Sequence, residues 1–118
     1  MKKIYSLKTC YTCQRILKAL DLPVDFELQD IKEANISAKD LDTLKALTGS
    51  YEALFSKRAR LYKVMGLKNE ILQESDYRHY ILNHYTFLKR PILVFEDQIF
   101  IGNSSKTTAA AKLALTDE

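Results

Sequence analysis

The spacing of apolar residues in the first 31 positions changes from that of a strand to that of a helix and back. The segment KKIYSL has the bulky composition of a short strand around Ile4. Apolar residues then recur at helical spacing in CQRILKALDL, at Cys13, Ile16, Leu17 and Leu20. Beyond Pro23, VDFELQDI alternates and predicts a second strand with Val24, Phe26 and Leu28 facing inward. This order predicts a βαβ unit whose first loop contains two cysteines.

Helical patterns fill the middle of the chain. In SAKDLDTLKALTGS, Ser37 is placed to cap a helix that Gly49 ends. The segment YEALFSKRARLYKVMGLKN predicts two short helices separated near Ser56. A further helix is expected in ESDYRHYILNHYTFLKR, with Ser75 as its N-cap. Its candidate buried residues are Tyr77, Tyr80, Ile81, Tyr85 and Leu88.

The last part of the chain predicts a β-hairpin and a final helix. Pro91 opens ILVFEDQIFIG, where two short apolar segments flank a turn around Asp97. Ser104 or Ser105 is placed to cap a helix in KTTAAAKLAL. The order β-α-β, several helices, then β-β-α predicts an α/β fold with a mixed four-stranded sheet. The chain contains no repeat or linker, so we expect one domain over residues 1–118.

Composition narrows the functional classes only a little. The 118 residues, with 47% apolar and 28% charged side chains, are ordinary for a globular domain. A net charge of +3 is too small to indicate binding to nucleic acid or to a membrane surface. No apolar segment approaches the roughly 18 residues that span a bilayer. The start MKKIYSLKTC lacks the apolar core of a signal peptide. We therefore expect a cytoplasmic protein.

Two cysteines, Cys10 and Cys13, lie in the loop TCYTC between the first predicted strand and helix. A sulfur at such a junction lies near free backbone N–H groups, and the helix dipole favours its thiolate. We expect Cys10 at this junction, with Cys13 about one helical turn further on and within reach of a disulfide. In a reducing compartment, a close pair of this kind is more often catalytic or metal-binding than structural.

Three interpretations of the pair remain open from the residues alone. Cys10 attacks a substrate and Cys13 resolves the adduct, the pair binds zinc, or both are inert core thiols. Zinc needs four ligands, and the other soft candidates are His79 and His84. Five positions apart on a helix, their side chains point roughly 140° apart. The pattern therefore favours a redox or nucleophilic role for Cys10, and we expect no metal site.

Basic residues in two segments are candidates for binding an anion. SKRARLYK contains four of them, a composition that is also typical of a solvated surface: Lys57, Arg58, Arg60 and Lys63. Arg90 precedes Pro91 at the start of a predicted central strand. That edge commonly lies beside the first βα loop, where a guanidinium group can pair with an anion at Cys10.

Three segments resemble the ArsC/Spx family in order and spacing: IYSLKTCYTCQRILKAL, LFSKRARLYKVMGL and KRPILVF. This family includes glutaredoxin-linked arsenate reductases, YffB-type reductases and the Spx transcription regulators. The resemblance covers nearly the whole chain. It implies a thioredoxin-like fold with a helical insertion at about residues 35–86.

By this resemblance, Cys10 corresponds to the family's nucleophilic cysteine, and Pro91 to a proline that is typically cis and faces the cysteine loop. Arg90 matches one anion-binding arginine, and Arg58 matches the arginine of the middle motif. Thr12 and the backbone N–H groups after Cys10 complete the expected anion cradle.

Two positions depart from the arsenate reductases of the family. Those enzymes carry IGRPP at the last strand, whereas this chain reads IGNSSK and has Asn103 in place of the arginine. They also carry a His-Asn pair shortly before the cysteine, where this chain has Ser6 and Leu7. Two arginines should hold an arsenate oxyanion less tightly than three.

The resemblance implies an ArsC-type thiol oxidoreductase with no bound cofactor. Glutathione with glutaredoxin, or thioredoxin, is the expected reductant, and a small oxyanion or a disulfide is the expected substrate. Spx regulators also keep a Cys-x-x-Cys motif at this place, where it acts as a redox switch. The alternative is therefore a redox-sensing transcription regulator that binds the RNA polymerase α-subunit, without direct contact to nucleic acid or a membrane.

Overall fold

The computed structural model describes residues 1–116. Its strands are β1 (Lys2–Ser6), β2 (Glu27–Asp30), β3 (Ile92–Phe95) and β4 (Gln98–Ile101). Its α-helices are α1 (Tyr11–Leu20), α2 (Ala38–Thr48), α3 (Arg60–Val64), α4 (Glu74–Asn83) and α5 (Ser105–Thr116). Single turns of 3-10 helix lie at Glu52–Leu54, Leu67–Asn69 and Tyr85–Phe87. Within residues 1–116, no helix is both long enough and apolar enough to cross a membrane.

The chain forms two compact units. The first contains Met1–Ala34 together with the chain from Arg90 onward, and the second contains Asn35–Lys89. The first unit therefore contains the whole sheet with α1 and α5, and the second contains α2, α3 and α4. The expectation of one domain with an insertion at about residues 35–86 stays a prediction.

The sheet of the first unit has the order β2-β1-β3-β4. β1 runs parallel to β2, with Ile4 opposite Leu28, and antiparallel to β3, with Ile4 opposite Leu93. A tight turn at Glu96, where φ is +56°, joins β3 to the antiparallel β4. Parallel neighbours need a crossover, which α1 supplies between β1 and β2. The predicted mixed four-stranded sheet and the hairpin are confirmed.

One apolar cluster packs α1 and α5 against the sheet of the first unit. Its buried residues are Ile4, Ile16, Leu20, Leu93, Phe95 and Ala111. The Lys112 ammonium group also donates a hydrogen bond to the Ala19 carbonyl oxygen at 2.8 Å, which joins the two helices. Each helix therefore buries one apolar face in the sheet and leaves its polar face in water.

The inward alternation predicted for β2 is wrong at two of its three positions. Val24 lies in the turn before the strand and is fully exposed, and the Leu28 side chain is 54% exposed. Only Phe26 reaches the core, where its ring meets Phe95 edge-on at 5.8 Å. β2 is an edge strand with a neighbour on one side, so it can leave apolar side chains accessible.

The caps of the second unit explain where its helices begin and end. The Ser37 hydroxyl accepts the Asp40 N–H at 3.1 Å, and Gly49 ends α2 with φ of +96°, as predicted. The predicted cap at Ser75 is wrong. Gln73 and Asp76 form a capping box, so α4 begins at Glu74.

Aromatic packing fills the core of the second unit. The Phe55 ring stacks on Phe87 and meets Tyr77 edge-on, both at 4.9 Å between ring centroids. Ile81 on α4 is fully buried beside this group, and the Arg78 guanidinium donates two hydrogen bonds to the Asp42 carboxylate on α2 at 2.9 and 3.2 Å. The predicted break near Ser56 is present, since it separates the 3-10 turn from α3.

Candidate active site

Cys10 is the N-cap residue of α1. Its backbone is extended, with φ of −94° and ψ of 109°, and its sulfur accepts the Cys13 backbone N–H at 3.4 Å. Its own N–H donates to the Leu7 carbonyl oxygen at 3.0 Å, and its carbonyl accepts the Gln14 N–H at 3.1 Å. The sulfur therefore occupies the place where a serine or aspartate oxygen stands in an ordinary N-cap.

The pKa of Cys10 lies below the ordinary thiol value of 9.0. Partial burial works in the opposite direction, but the hydrogen bonds from the Cys13 N–H and the Cys13 thiol outweigh it. The positive charge of Arg90 lowers the pKa further, as does the backbone N–H of Thr12. Hydrogen bonds to the charged form and a nearby cation both favour the thiolate. Cys10 is consequently the more nucleophilic of the two sulfurs.

Cys13 has the opposite environment. Its side chain is 1% exposed, and burial raises its pKa to about 12. Its thiol donates a hydrogen bond to Cys10, and the negative charge of the Cys10 thiolate raises the pKa as well. A hydrogen bond with the Leu7 backbone and the charge of Arg90 both lower the Cys13 pKa, but by less than burial and Cys10 raise it. Cys13 therefore keeps its proton over the pH range in which Cys10 ionises.

The difference between the two thiols orders their reactivity. Both cysteines are free thiols, and their side chains are hydrogen-bonded to each other. Once Cys10 carries a neutral adduct, the charge and the strong acceptor that hold the proton on Cys13 are both lost. Only burial then still raises the Cys13 pKa. Neutralisation of the Cys10 sulfur would therefore lower the Cys13 pKa.

Arg90 and Pro91 immediately precede β3, and the peptide bond between them is cis. Pro91 is buried and Arg90 is half-buried. The Gly102 N–H donates to the Pro91 carbonyl oxygen at 2.9 Å, which joins the loop after β4 to this position. The structure therefore brings Cys10, Thr12, Cys13 and Arg90 into one electrostatic group, since all of them act on the Cys10 sulfur.

Arg58, the other arginine expected at the site, belongs to the second unit. It lies in the exposed turn between the 3-10 helix at Glu52–Leu54 and α3, next to Lys57, whose ammonium group pairs with Glu52 at 2.8 Å. Its role as an anion ligand stays a prediction. The expected absence of a metal site also stays a prediction. Among residues 1–116, no group of three or more His, Cys, Asp or Glu side chains is arranged to hold an ion.

Two features of the loop were not anticipated from the sequence. Tyr11, the first residue of α1, is 82% exposed immediately beside Cys10. The Gln14 side-chain amide donates to the Leu7 carbonyl oxygen at 3.2 Å and so fixes the loop that precedes the helix. On a helix, the side chains of Tyr11 and Cys13 point about 200° apart. The exposure of Tyr11 could therefore have been predicted from the burial of Cys13.

A sequence model of the ArsC family matches residues 5–111. The chain belongs to the ArsC family. No curated protein matches it. Its sheet and helices form the thioredoxin-like α/β fold of this family, as expected from the resemblance.

Solved structures support the fold. SACOL0876 from Staphylococcus aureus COL is 28% identical, with a TM-score of 0.76 and coverage of 93% of this chain and 97% of that one. An arsenate reductase from Vibrio cholerae is 20% identical, with a TM-score of 0.77 and coverage of 97% and 96%. An arsenate reductase related protein from Brucella melitensis is 20% identical, with a TM-score of 0.69 and coverage of 92% of each chain.

Proposed function

We propose that this chain is a cytoplasmic thiol oxidoreductase of the ArsC type in which Cys10 is the nucleophile and Cys13 resolves the adduct. The observation that carries the proposal is the pairing of the two thiols. The Cys10 sulfur caps α1 with a lowered pKa, and the Cys13 thiol donates its hydrogen bond to that sulfur. A strong nucleophile and a nearby second thiol are the two groups that dithiol reduction needs.

With a disulfide as substrate, the Cys10 thiolate attacks one sulfur, forms a mixed disulfide and releases the other sulfur as a thiolate. Cys13 then gives up its proton to that leaving thiolate and attacks the Cys10 sulfur. This second step releases the remaining thiolate and leaves a Cys10–Cys13 disulfide. The substrate has gained two electrons, and the two cysteines have lost them.

With arsenate, Cys10 displaces a hydroxyl group from arsenic(V), which leaves as water, and forms a sulfur–arsenic bond. Cys13 then attacks the Cys10 sulfur, and the electron pair of that bond stays on arsenic, which leaves as arsenite. Arg90, and Arg58 by the family resemblance, neutralise the bound negative charge, and Thr12 with the N–H groups at the start of α1 helps to cradle it. By the family resemblance, Pro91 faces the cysteine loop.

Each cycle ends with an oxidised protein that needs two electrons. Glutathione with glutaredoxin, or thioredoxin, would supply them by exchange with the Cys10–Cys13 disulfide. No resident cofactor is part of this scheme, because the two thiols carry both electrons themselves.

A coupled assay tests the proposal. NADPH oxidation is followed with glutathione, glutathione reductase and glutaredoxin, and with either arsenate or hydroxyethyl disulfide added. We expect turnover by the wild type and none by Cys10→Ser, while Cys13→Ser retains only the part of the activity that external glutathione can complete. Full activity of Cys10→Ser would overturn the proposal.

The second candidate is a redox-sensing regulator that binds the RNA polymerase α-subunit. The contact between the Cys13 thiol and the Cys10 sulfur favours it, because such a pair can close into a disulfide without any substrate. Pull-down of RNA polymerase subunits by the reduced and the oxidised protein tests it. Capture of the α-subunit in one redox state, with no turnover in the coupled assay, would favour the regulator. Absence of the α-subunit in both states would reject it.

A further inference from the structure

The loop between β4 and α5 contributes no positive charge beside Arg90. The hydrogen bond from Gly102 to Pro91 holds this loop against the residue that follows Arg90. Residues 102–104 read GNS, the exposed Asn103 is neutral, and the first cation after them is Lys106 on the exposed surface of α5. A bound oxyanion therefore gains no ionic partner from the part of the loop that adjoins Arg90.

The hydroxyl and carbonyl groups of Ser104 in that loop already have hydrogen-bond partners in α5. Its hydroxyl oxygen accepts the Thr107 N–H at 3.0 Å and donates to the Thr107 hydroxyl oxygen at 2.8 Å. Its carbonyl oxygen accepts hydrogen bonds from the N–H and the hydroxyl group of Thr108, both at 3.0 Å. These contacts cap α5, so binding an oxyanion through Ser104 would cost the cap of the helix.

Within the first unit, Arg90 is the cation that acts on both thiols. Lys8, which is closer to Cys10 along the chain, is exposed and lies 3.8 Å from the Glu33 carboxylate. One guanidinium group already balances the Cys10 thiolate. An incoming dianion would bring two more negative charges to this part of the site, whereas a disulfide brings none.

Tyr11 adds a flat apolar surface beside the nucleophile. Its side chain is 82% exposed, and no residue in the described range 1–116 makes a hydrogen bond or a ring contact with it. It follows Cys10 directly in the chain and lies on the outer side of α1, opposite the buried Cys13. An aromatic ring in this position can pack on the backbone and aliphatic atoms of a molecule whose sulfur meets Cys10.

From these observations we propose that the substrate is a disulfide carried on a peptide, and that Tyr11 is the specificity-determining residue that binds the peptide next to the reacting sulfur. This inference rests on the proposed thiol oxidoreductase function. Cys10 attacks the peptide disulfide, the first peptide leaves as a thiolate, and the second peptide stays as a mixed disulfide against Tyr11. Cys13 then releases it and closes the Cys10–Cys13 disulfide, so that one disulfide is reduced and one is formed.

A single-turnover experiment tests the inference without an external reductant. The fully reduced protein is mixed with one of three oxidants: the disulfide dimer of the blocked, uncharged tripeptide Ala-Cys-Ala, hydroxyethyl disulfide, or arsenate. Samples are quenched in acid and alkylated, and the fraction with a Cys10–Cys13 disulfide is measured by mass spectrometry. The variants are Tyr11→Ala, Tyr11→Phe and Asn103→Arg, with Cys10→Ser as the control for the site.

We expect the peptide disulfide to oxidise the wild type faster than arsenate does. Tyr11→Ala should slow the reaction with the peptide disulfide about three- to tenfold, and should leave the rate of the reaction with hydroxyethyl disulfide within about twofold of the wild-type rate. Tyr11→Phe keeps the ring and should retain the wild-type rate. Asn103→Arg should speed the reaction with arsenate alone, because it adds the missing positive charge.

Three results would overturn the inference while leaving the oxidoreductase function intact. One is faster oxidation by arsenate than by the peptide disulfide, with dependence on Cys10. Another is an equal loss of rate with both disulfides in Tyr11→Ala, which would indicate a general disturbance of the loop. The third is an unchanged rate in Tyr11→Ala. If none of the three oxidants formed the disulfide in a Cys10-dependent reaction, the proposed function itself would be rejected together with the inference.

Discussion

At the scale of single residues, the two thiols differ because one caps a helix and the other is buried under it. The Cys10 sulfur accepts hydrogen bonds at the start of α1 and lies in the field of Arg90, which favours its anion. Cys13 is one turn further on, buried and hydrogen-bonded to that anion, which keeps it protonated with a pKa of about 12. Two residues of the same type therefore have opposite pKa shifts, because their surroundings differ.

The charge of Arg90 should be measurable in the pH dependence of Cys10. Reaction with iodoacetamide follows the thiolate, so in Cys13→Ser, where only Cys10 reacts, the rate should rise with pH with a midpoint below the ordinary thiol pKa of 9.0. Replacing Arg90 with Ala should move the midpoint to higher pH, whereas Arg90→Lys should restore part of the shift. An identical midpoint in the Ala and Lys variants would contradict the assignment of the effect to charge.

A second residue-scale prediction concerns the proton on Cys13. Burial and the Cys10 thiolate together raise its pKa to about 12. Cys10→Ala removes both the charge and the hydrogen-bond acceptor, and Cys10→Ser removes the charge but keeps an acceptor. Titration of the remaining thiol at 240 nm should therefore give a lower pKa in both variants, with the larger decrease in Cys10→Ala. A pKa that stays near 12 in both would mean that burial alone sets it, and that Cys10 does not control the resolving step.

At the scale of secondary structure elements, caps position the site as much as the packed faces do. The N-cap residue of α1 is a cysteine instead of the usual Ser, Thr, Asp or Asn. Sulfur is a weaker hydrogen-bond acceptor than oxygen, but the same contact stabilises the Cys10 thiolate. α5 begins with an ordinary serine cap in the loop that is hydrogen-bonded to Pro91. The first turn of α1 thus stabilises the Cys10 thiolate, and the cap of α5 fixes the loop that is hydrogen-bonded to Pro91.

The cap of α5 can be tested with two adjacent serines. Ser104→Ala removes the acceptor of the Thr107 N–H and should lower the free energy of unfolding by about 0.5–2 kcal/mol. Ser105→Ala, at the first helical and exposed residue, should change it by less than about 0.5 kcal/mol. Urea denaturation followed by circular dichroism measures both. Equal effects of the two substitutions would contradict the assignment of the cap to Ser104.

Local chemistry determined which elements could be predicted from the sequence. The cap at Ser37 and the helix end at Gly49 depend on neighbouring residues and were predicted correctly, and of the two candidate caps of α5 the structure uses Ser104. The inward alternation in β2 and the cap at Ser75 were not correct. The exposure of Leu28 depends on the place of β2 at the edge of the sheet, and α4 begins earlier because Gln73 and Asp76 pair across its first turn.

At the scale of the whole molecule, the ArsC fold brings together a loop near the start of the chain and a strand that begins at residue 92. The strand order β2-β1-β3-β4 makes β1 and β3 neighbours, and these two strands are antiparallel. The loop that follows β1 and the residues that precede β3 therefore lie at the same end of the sheet. The sequence predicted the cysteine motif and the candidate arginine. It also predicted that the Cys10 thiolate would be favoured, but not the hydrogen bond from Gly102 to Pro91 or the raised pKa of Cys13, because these depend on long-range contacts and burial.

The core of the second unit contributes to the stability of the whole chain. Ile81 on α4 is fully buried, whereas the Ile71 side chain before this helix is 92% exposed. Ile81→Ala should therefore lower the free energy of unfolding by about 2–5 kcal/mol, and Ile71→Ala by less than about 0.5 kcal/mol. Thermal and urea denaturation of the two variants measure the difference. Similar losses for both would contradict the packing described for this unit.

The most direct test of the central claim is to trap the adduct on one cysteine. Reduced wild type, Cys10→Ser and Cys13→Ser are mixed with hydroxyethyl disulfide at pH 7, quenched in acid and analysed by peptide mass spectrometry. We expect an adduct that accumulates on Cys10 in Cys13→Ser, an intramolecular disulfide in the wild type, and almost no reaction at Cys13 in Cys10→Ser. Accumulation of an adduct on Cys13 in Cys10→Ser at a rate equal to that of Cys10 would contradict the assignment of Cys10 as the nucleophile.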